Sequence, residues 1–185
     1  MSRRLIILDR DGVINHDSDA FIKSPDEWRP IEGSADAIGA LSAAGFTVAV
    51  ASNQSGIARN LFDRRTLYSI HDKMRRVVRA HGGDIDRIVF CPHGPGDGCD
   101  CRKPEPGMLL KLSHHYGVPL DRVPVIGDSL RDLDAALAVN ARPILVLTGK
   151  GKATAAAVSV AGRQVEVFAD LGNVATALIA EETGA

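Results

Sequence analysis

The sequence is poor in sulfur, in aromatic side chains and in net charge. Its 185 residues include three cysteines and 4% aromatic residues, and 22 basic against 23 acidic residues leave a net charge of −1. Because a nearly neutral chain has no global field that attracts nucleic acid or an anionic membrane, we expect neither as a partner. An odd number of cysteines suits a disulfide framework poorly, which favours a cytoplasmic protein with reduced thiols.

Long hydrophobic runs are also missing. The first one, residues 5–8, has four residues before Asp9 and is too short for the core of a signal peptide or for a membrane span. A chain of this length buries an adequate core as one unit, so we expect a single domain over residues 1–185. Nothing in the sequence requires an assembly larger than a monomer.

The chain does have a regular alternation of short apolar runs and amphipathic segments. We predict strands at 3–9, 46–52, 86–91, 123–128, 142–148 and 164–169, and helices at 34–45, 63–80, 106–116, 129–140 and 170–181, with a weaker alanine-rich helix within 149–162. Ser34 and Ser129 are the predicted caps of two of these helices. The alternation predicts an α/β fold, a three-layer doubly wound parallel sheet with helices on both faces.

Side chains capable of chemistry follow four of the predicted strands. They are Asp9, Ser52, Cys91 and Asp128, in that order. Ligands of open parallel sheets bind beyond the carboxyl ends of the strands, so we expect these four residues to meet at one site.

The segment "DRDG" places Asp9 and Asp11 two residues apart where the first strand ends. Crowded carboxylates repel each other unless a cation neutralises them, which favours Mg²⁺, with Asp128 as a further ligand. Taken alone, the same segment also fits a turn at Asp11 with Asp9 as a helix cap.

A second polar group of residues suits an anion. Ser52 and Asn53 offer a hydroxyl and an amide, while Arg102 and Lys103 offer a bidentate donor and a point charge. Each pair, taken alone, also fits a solvated loop. Asp132 in "GDSLRD" either supports the site from behind or faces solvent.

All three cysteines lie in one glycine-rich stretch together with a histidine. Cys91, His93, Cys99 and Cys101 form a C-x-H-x5-C-x-C pattern, a closed four-ligand set for tetrahedral, structural zinc. A catalytic thiol would not need three cysteines, and the remaining alternative is a reduced cluster without metal. A metal would order this loop and thereby fix Arg102 and the residue after it over the anion site.

Four segments, taken in their order along the chain, resemble the four motifs of the haloacid dehalogenase-like (HAD) phosphatase superfamily. They are "DRDG", "SN", "RKP" and "GDSLRD". The resemblance implies that Asp9 is the nucleophile that forms an aspartyl-phosphate and that Asp11 is the general acid and base. It implies that Ser52 and Lys103 hold the phosphoryl oxygens. It further implies Mg²⁺ on the Asp9 carboxylate, the Asp11 backbone oxygen and Asp128. The gaps between motifs leave no room for a large cap domain.

Within the superfamily, "NQSGIAR" and "CRKPEPGM" resemble the capless, zinc-loop phosphatases that remove the C7 phosphate of heptose bisphosphate during the synthesis of activated heptose for bacterial surface glycans. The substrate contacts that the resemblance implies are Asp17, Ser18, Asp19, Ala20, Ser52, Asn53, Gln54, Ser55, Arg102 and Lys103.

Two alternatives remain. Histidinol-phosphate phosphatases share the motifs, and Asp17 and Asp19 would receive their cationic substrate. A non-catalytic, zinc-stabilised binding module is the more distant alternative, against which the intact catalytic residues argue.

Overall fold

The computed structural model describes residues 4–162 and 164–184. The predicted alternation is confirmed, with ends that differ from the predicted ones by a few residues; Arg3, at the start of the first predicted strand, lies outside the described residues. In chain order the elements are β1 (Arg4–Leu8), α1 (Ser34–Ala43), β2 (Phe46–Asn53), α2 (Arg64–Ala80), β3 (Arg87–Cys91), α3 (Gly107–Tyr116), β4 (Pro124–Gly127), α4 (Leu130–Leu137), β5 (Arg142–Val146), α5 (Gly151–Val160), β6 (Glu166–Phe168) and α6 (Leu171–Thr183).

The six strands form one parallel sheet in the order β3-β2-β1-β4-β5-β6. The chain winds outward from β1 to β3 and then returns to start again at β4, on the other side of β1. This reversal places the topological switch point between β1 and β4, where ligands of doubly wound sheets bind. Asp9 and Asp128 follow these two strands, and the backbone N–H of Asp9 donates to Ile126 at 2.8 Å.

Alternate residues of the central strand enter two different cores. Ile6 and Leu8 belong to the cluster that contains α1, α2 and α6, whereas Leu5 and Ile7 face α3 and α4. Successive side chains of a strand point to opposite faces, so a strand buried on both sides reads as a continuous apolar run. The three-layer architecture expected from the sequence is confirmed.

Of the two predicted helix caps, one is confirmed and one is wrong. Ser129 caps α4 in a capping box with Asp132, as expected. The prediction for Ser34 is wrong, because the residue that caps α1 is Gly33, in the left-handed region at φ 77°, and Ser34 is the first residue of the helix. The buried Ser34 hydroxyl instead donates to the carbonyl oxygen of Ile14 at 2.7 Å, which ties the helix to the loop after β1.

No inserted domain lies in the described part of the chain. The β1–β2 connection holds a loop and α1, and the β2–β3 connection holds a loop and α2, so the expected absence of a large cap agrees with the architecture seen there. None of the helices in residues 4–162 and 164–184 has both the length and the apolar character that a membrane span requires.

Candidate active site

A cavity of about 280 Å³ opens at the carboxyl edge of the sheet. The predicted site residues that line it are Asp9, Asp11, Asp17, Ser18, Asp19, Ser52, Asn53, Gln54, Ser55, Arg102, Lys103 and Asp128. Ala20, also predicted to contact substrate, is exposed and does not line the cavity. Residues that follow β1, β2 and β4 thus converge here with Arg102 and Lys103 from the loop after β3, as parallel strand ends should. Cys91, expected at the same site, does not line the cavity.

Lys103 is the buried cation at the centre of this cavity. Its Nζ lies 2.9 Å from Asp9 Oδ1, 2.5 Å from Asp132 Oδ1 and 2.7 Å from the carbonyl oxygen of Ala51. Burial works to lower the pKa of Lys103, but the charges of Asp132 and Asp9 outweigh it and hold that pKa above its ordinary range. Lys103 therefore stays charged beside Asp9, where a phosphoryl group would need a cation.

The main chain of Lys103 is fixed by Asn53. The Asn53 amide donates to the carbonyl oxygen of Lys103 at 3.0 Å, and the backbone N–H of Lys103 donates to Asn53 Oδ1 at 3.0 Å. Because this reciprocal pair uses both ends of the amide, Asn53 joins the end of β2 to the loop that carries Lys103.

Asp132 supports the site from behind, the first of the two roles that the sequence left open. Its side chain is 3% exposed, and besides the Lys103 ammonium it accepts from the backbone N–H and the hydroxyl of Ser129. One carboxylate thus caps α4 and also orients the central cation.

The chemistry of Asp9 and Asp128 fits a divalent cation. Burial, with repulsion from Asp132 and Asp11, raises the pKa of Asp9 to about 7 despite Lys103, and burial raises the pKa of Asp128 to about 6. Carboxylate oxygens of Asp9, Asp128 and Asp132 lie within 4.8 Å of one another. Both oxygens of Asp132 accept hydrogen bonds, from Lys103 and Ser129, whereas Asp9 and Asp128 each use one oxygen on a donor from the described residues. Asp9 and Asp128 therefore stay the predicted carboxylate ligands of Mg²⁺.

Gly12 makes this crowding possible. Its φ is +83°, and a Cβ atom on it would lie 2.0 Å from Asp128 Oδ2. A residue with a side chain would therefore displace the Asp128 carboxylate as well as strain the backbone, so only glycine fits after the second aspartate.

The predicted sulfur site forms beside the cavity, in the loop whose Pro95 and Arg102 line it. Cys91 Sγ lies 3.5 Å from His93 Nδ1, 3.6 Å from Cys99 Sγ and 3.2 Å from Cys101 Sγ, and His93 Nδ1 lies 3.3 Å from Cys101 Sγ. A zinc tetrahedron with Zn–S bonds of about 2.3 Å has edges of about 3.8 Å, so the four atoms are grouped as zinc ligands are. Burial and the contact with Cys101 raise the pKa of the Cys91 thiol to about 12, so a thiolate there requires a cation.

Comparison with known proteins identifies the relatives of this chain. The protein-family model described as HAD-hydrolase-like matches residues 100–174, and the model of polynucleotide kinase 3 phosphatase matches residues 4–129. The D-glycero-β-D-manno-heptose-1,7-bisphosphate 7-phosphatase of Pseudomonas aeruginosa is 55% identical over 97% of this chain and 99% of its own length. That of Bordetella bronchiseptica is 58% identical over 83% of this chain and 86% of its own.

The chain belongs to the heptose 1,7-bisphosphate 7-phosphatase family of HAD phosphatases. Among solved structures, the Bordetella bronchiseptica D,D-heptose 1,7-bisphosphate phosphatase, complexed with magnesium and phosphate, is 53% identical, with a TM-score of 0.92 over 96% of this chain and 99% of that one. The resemblance read from the four motifs is confirmed, and these relatives favour the heptose phosphatases over the histidinol-phosphate alternative.

The residues around the cavity of this family member that were not predicted as site residues include five with basic or amide side chains. Arg59, Arg131 and Lys150 line the cavity, and Arg10 and Asn15 hold Asp11. The motif "NQSGIAR" contains Arg59 and could have drawn attention to it. Nothing local marks the other four, because they reach the site through the loop after β1, the first turn of α4 and the loop after β5.

Arg59 and Lys150 both attach to the loop after β1. The Arg59 guanidinium lies 5.7 Å from the centre of the Phe21 ring, in cation–π range. Lys150 Nζ lies 2.8 Å from Asp17 Oδ2, while its backbone N–H donates to Asp128 Oδ2 at 2.8 Å. Lys150 thus connects a predicted substrate-binding carboxylate to a predicted metal-binding one.

Proposed function

We propose that the protein is a magnesium-dependent phosphatase that removes the C7 phosphate of D-glycero-D-manno-heptose 1,7-bisphosphate. The observation that carries the proposal is the buried Lys103–Asp9 ion pair, at a carboxylate-rich strand edge, in a chain 55% identical to an enzyme of that name over nearly its whole length. The reaction would serve the synthesis of activated heptose for bacterial surface glycans.

The proposed reaction starts with Asp9. One of its carboxylate oxygens, the one not held by Lys103, attacks phosphorus while the C7 oxygen leaves and takes a proton from Asp11. Lys103 and the Ser52 hydroxyl hold the non-bridging oxygens. Asp11 then takes a proton from water, the water oxygen attacks the aspartyl-phosphate, and Asp9 is restored.

The residues that would hold Mg²⁺ are the Asp9 and Asp128 carboxylates and the Asp11 backbone oxygen. When bound, the ion supplies positive charge that stabilises the phosphoryl group during transfer.

The rim of the cavity favours a bisphosphate over histidinol phosphate. Arg59, Arg102 and Arg131 all line it, and burial and the charge of Arg131 lower the pKa of Arg102. Such a concentration of guanidinium groups suits a second phosphate and repels the amino group of histidinol. Asp17, Ser18 and Asp19 would receive the sugar hydroxyls.

The relatives carry the β-anomer in their names, so we propose the β-anomer as the substrate. The test is magnesium-dependent phosphate release from the α and β anomers of heptose 1,7-bisphosphate and from histidinol phosphate, assayed side by side. The β-anomer should be hydrolysed with the highest kcat/KM. Faster release from histidinol phosphate would overturn the substrate assignment and leave the phosphatase chemistry in place.

We further propose that the enzyme acts as a monomer in the cytoplasm without a nucleic-acid or membrane partner. Support for the compartment comes from three free cysteines grouped as metal ligands rather than paired in disulfides. Light scattering coupled to size-exclusion chromatography tests the monomer, and a dimer mass would reject it.

A further inference from the structure

Arg10 is the most deeply placed charge near the site that the reaction above does not use. Its side chain is 1% exposed, and its guanidinium donates to Asp11 from Nε to Oδ1 at 3.0 Å and from Nη2 to Oδ1 at 2.8 Å and Oδ2 at 3.0 Å. A planar guanidinium that contacts both oxygens of a carboxylate fixes its orientation as well as its place.

Arg10 depends on Asp11 for its charge balance. Among the described residues its one ion pair is with Asp11, and its buried Nη1 has no hydrogen-bond partner there. Burial and the charges of Arg10 and Arg75 lower the pKa of the nearby His71 to about 3, so His71 is neutral. It therefore neither repels nor balances the charge of Arg10. A buried charge needs its partner, so the Arg10 guanidinium and the Asp11 carboxylate hold each other in place.

Two amides complete the hold on Asp11. Asn15 Nδ2 donates to Asp11 Oδ1 at 2.8 Å, and Gln54 Nε2 donates to Asp11 Oδ2 at 3.0 Å and to Ser52 Oγ at 2.8 Å. The Asp11 side chain is 20% exposed and lines the cavity. The carboxylate cannot rotate without breaking several of these contacts at once.

We propose that Arg10 is a positioning residue that aims the Asp11 carboxylate at the bridging oxygen and at the attacking water. The proposal rests on the proposed function, in which Asp11 gives one proton to the leaving oxygen as the O–P bond breaks and takes one from water as the aspartyl-phosphate is hydrolysed. Without Arg10, both proton transfers lose their geometry, while attack by Asp9 on a substrate whose leaving group needs no proton does not.

The test compares Arg10→Gln with the wild type on heptose 1,7-bisphosphate and on p-nitrophenyl phosphate. On the alkyl phosphate we expect kcat to fall about 10²-fold with KM changed less than about three-fold, since positioned acid–base groups supply 10²–10⁴-fold. On the aryl phosphate we expect a fast burst of about one p-nitrophenolate per enzyme, followed by slow turnover, because only hydrolysis of the aspartyl-phosphate then needs Asp11.

Arg76→Gln is the matched control, because Arg76 is exposed on α2 away from the cavity. It should behave as the wild type on both substrates. Arg10→Lys keeps the charge but not the bidentate contact. It should show the same burst on p-nitrophenyl phosphate, with a smaller loss of kcat on the alkyl phosphate. This variant serves as the test if Arg10→Gln does not fold.

Full activity of Arg10→Gln on the alkyl phosphate, or loss of the burst together with turnover, would overturn the proposal. The second result would mean that Arg10 maintains the fold around the nucleophile rather than aiming Asp11. A failure of the proposed substrate would be visible in the wild type itself, and the burst on p-nitrophenyl phosphate would still report on Arg10.

Discussion

Two predicted metal sites lie side by side but are built in opposite ways. The oxygen site consists of Asp9 and Asp128, and the sulfur site consists of Cys91, His93, Cys99 and Cys101. The ligands of the oxygen site follow two hydrogen-bonded strands, and each carboxylate has its own protein donor, Lys103 for Asp9 and the backbone of Lys150 for Asp128. The sulfur ligands fall within residues 91–101, and of them only Cys91 lies on a strand. The scaffold therefore positions the oxygen site, whereas we expect the sulfur ligands to depend on one another and on the zinc that they are predicted to bind.

The two sites are connected through the "RKP" segment. Arg102 donates to the carbonyl oxygen of His93 at 3.1 Å, and Lys103, the next residue, is the central cation of the oxygen site. The loop that carries the sulfur site thus supports one part of a centre positioned by the scaffold, and the following experiments separate the two contributions.

The largest effect should come from Asp9→Asn, which removes the proposed nucleophile and leaves its surroundings intact. We expect turnover to fall about 10⁴-fold or more, as it does when other covalent enzymes lose their nucleophile. Because the scaffold rather than this carboxylate holds the site, the melting temperature should stay within a few degrees.

Steady-state phosphate release and thermal unfolding measure both quantities. Asp121→Asn, in the loop before β4 at the amino ends of the strands, is the control and should be fully active. Appreciable turnover by Asp9→Asn would remove Asp9 as the nucleophile.

Cys101→Ser tests the sulfur site. Loss of one thiolate should release zinc and disorder Arg102 and Lys103, with kcat/KM reduced about 10–100-fold, the scale on which supporting contacts of metal sites act. Zinc content, activity and hydrogen exchange over residues 92–106 should change together. Asp100→Asn, in the same loop but not a ligand, should change none of them. A variant that has lost zinc and keeps full activity would contradict the link between the two sites.

His71 gives a pH test of the scaffold behind the oxygen site. Its pKa is about 3 in the folded protein against 6.5 ordinarily, so below pH 6.5 the unfolded chain binds a proton that the folded chain does not. His71 should therefore lower the free energy of unfolding by about 1.4 kcal/mol between pH 7.5 and 5.5, whereas Asp9 and Asp128, whose pKa values are raised, act in the opposite direction over the same range.

Denaturant unfolding at the two pH values measures this loss. His71→Leu should lose this contribution, so that its change in unfolding free energy between the two pH values differs from that of the wild type by about 1.4 kcal/mol. His114→Gln, which replaces an exposed histidine on α3, should retain the wild-type slope. Equal pH slopes for wild type and His71→Leu would contradict the lowered pKa of His71.

The smallest effect should come from Lys150→Gln, which breaks the Lys150–Asp17 pair. Lys150 is 49% exposed, so the pair contributes at most about 1 kcal/mol, and KM should rise about two- to five-fold with kcat unchanged. Initial rates over a range of substrate concentrations measure this, with Lys152→Gln on α5 as the control. A large fall in kcat would mean that Lys150 acts on the oxygen site through Asp128.

Local patterns predicted most of the fold and the centre of the site. Continuous apolar runs mark β1 and β2 because strands buried on both faces need no polar alternation. Asp9, Ser52 and Asp128 were found because they end such runs, and the cysteines because they lie close together in sequence. The cap at Ser34 was wrong because its hydroxyl has a tertiary partner, Ile14, twenty residues away.

The sequence alone determined the parallel α/β fold, the order of the four motifs, and the residue types of both predicted metal sites, since these depend on periodicity and short-range spacing. Only the tertiary structure decided that Asp132 orients Lys103, that Arg10 turns inward onto Asp11, and that Arg131 and Lys150 reach the cavity. Burial and charge pairing across distant segments arise when the strand ends meet, so no local pattern records them.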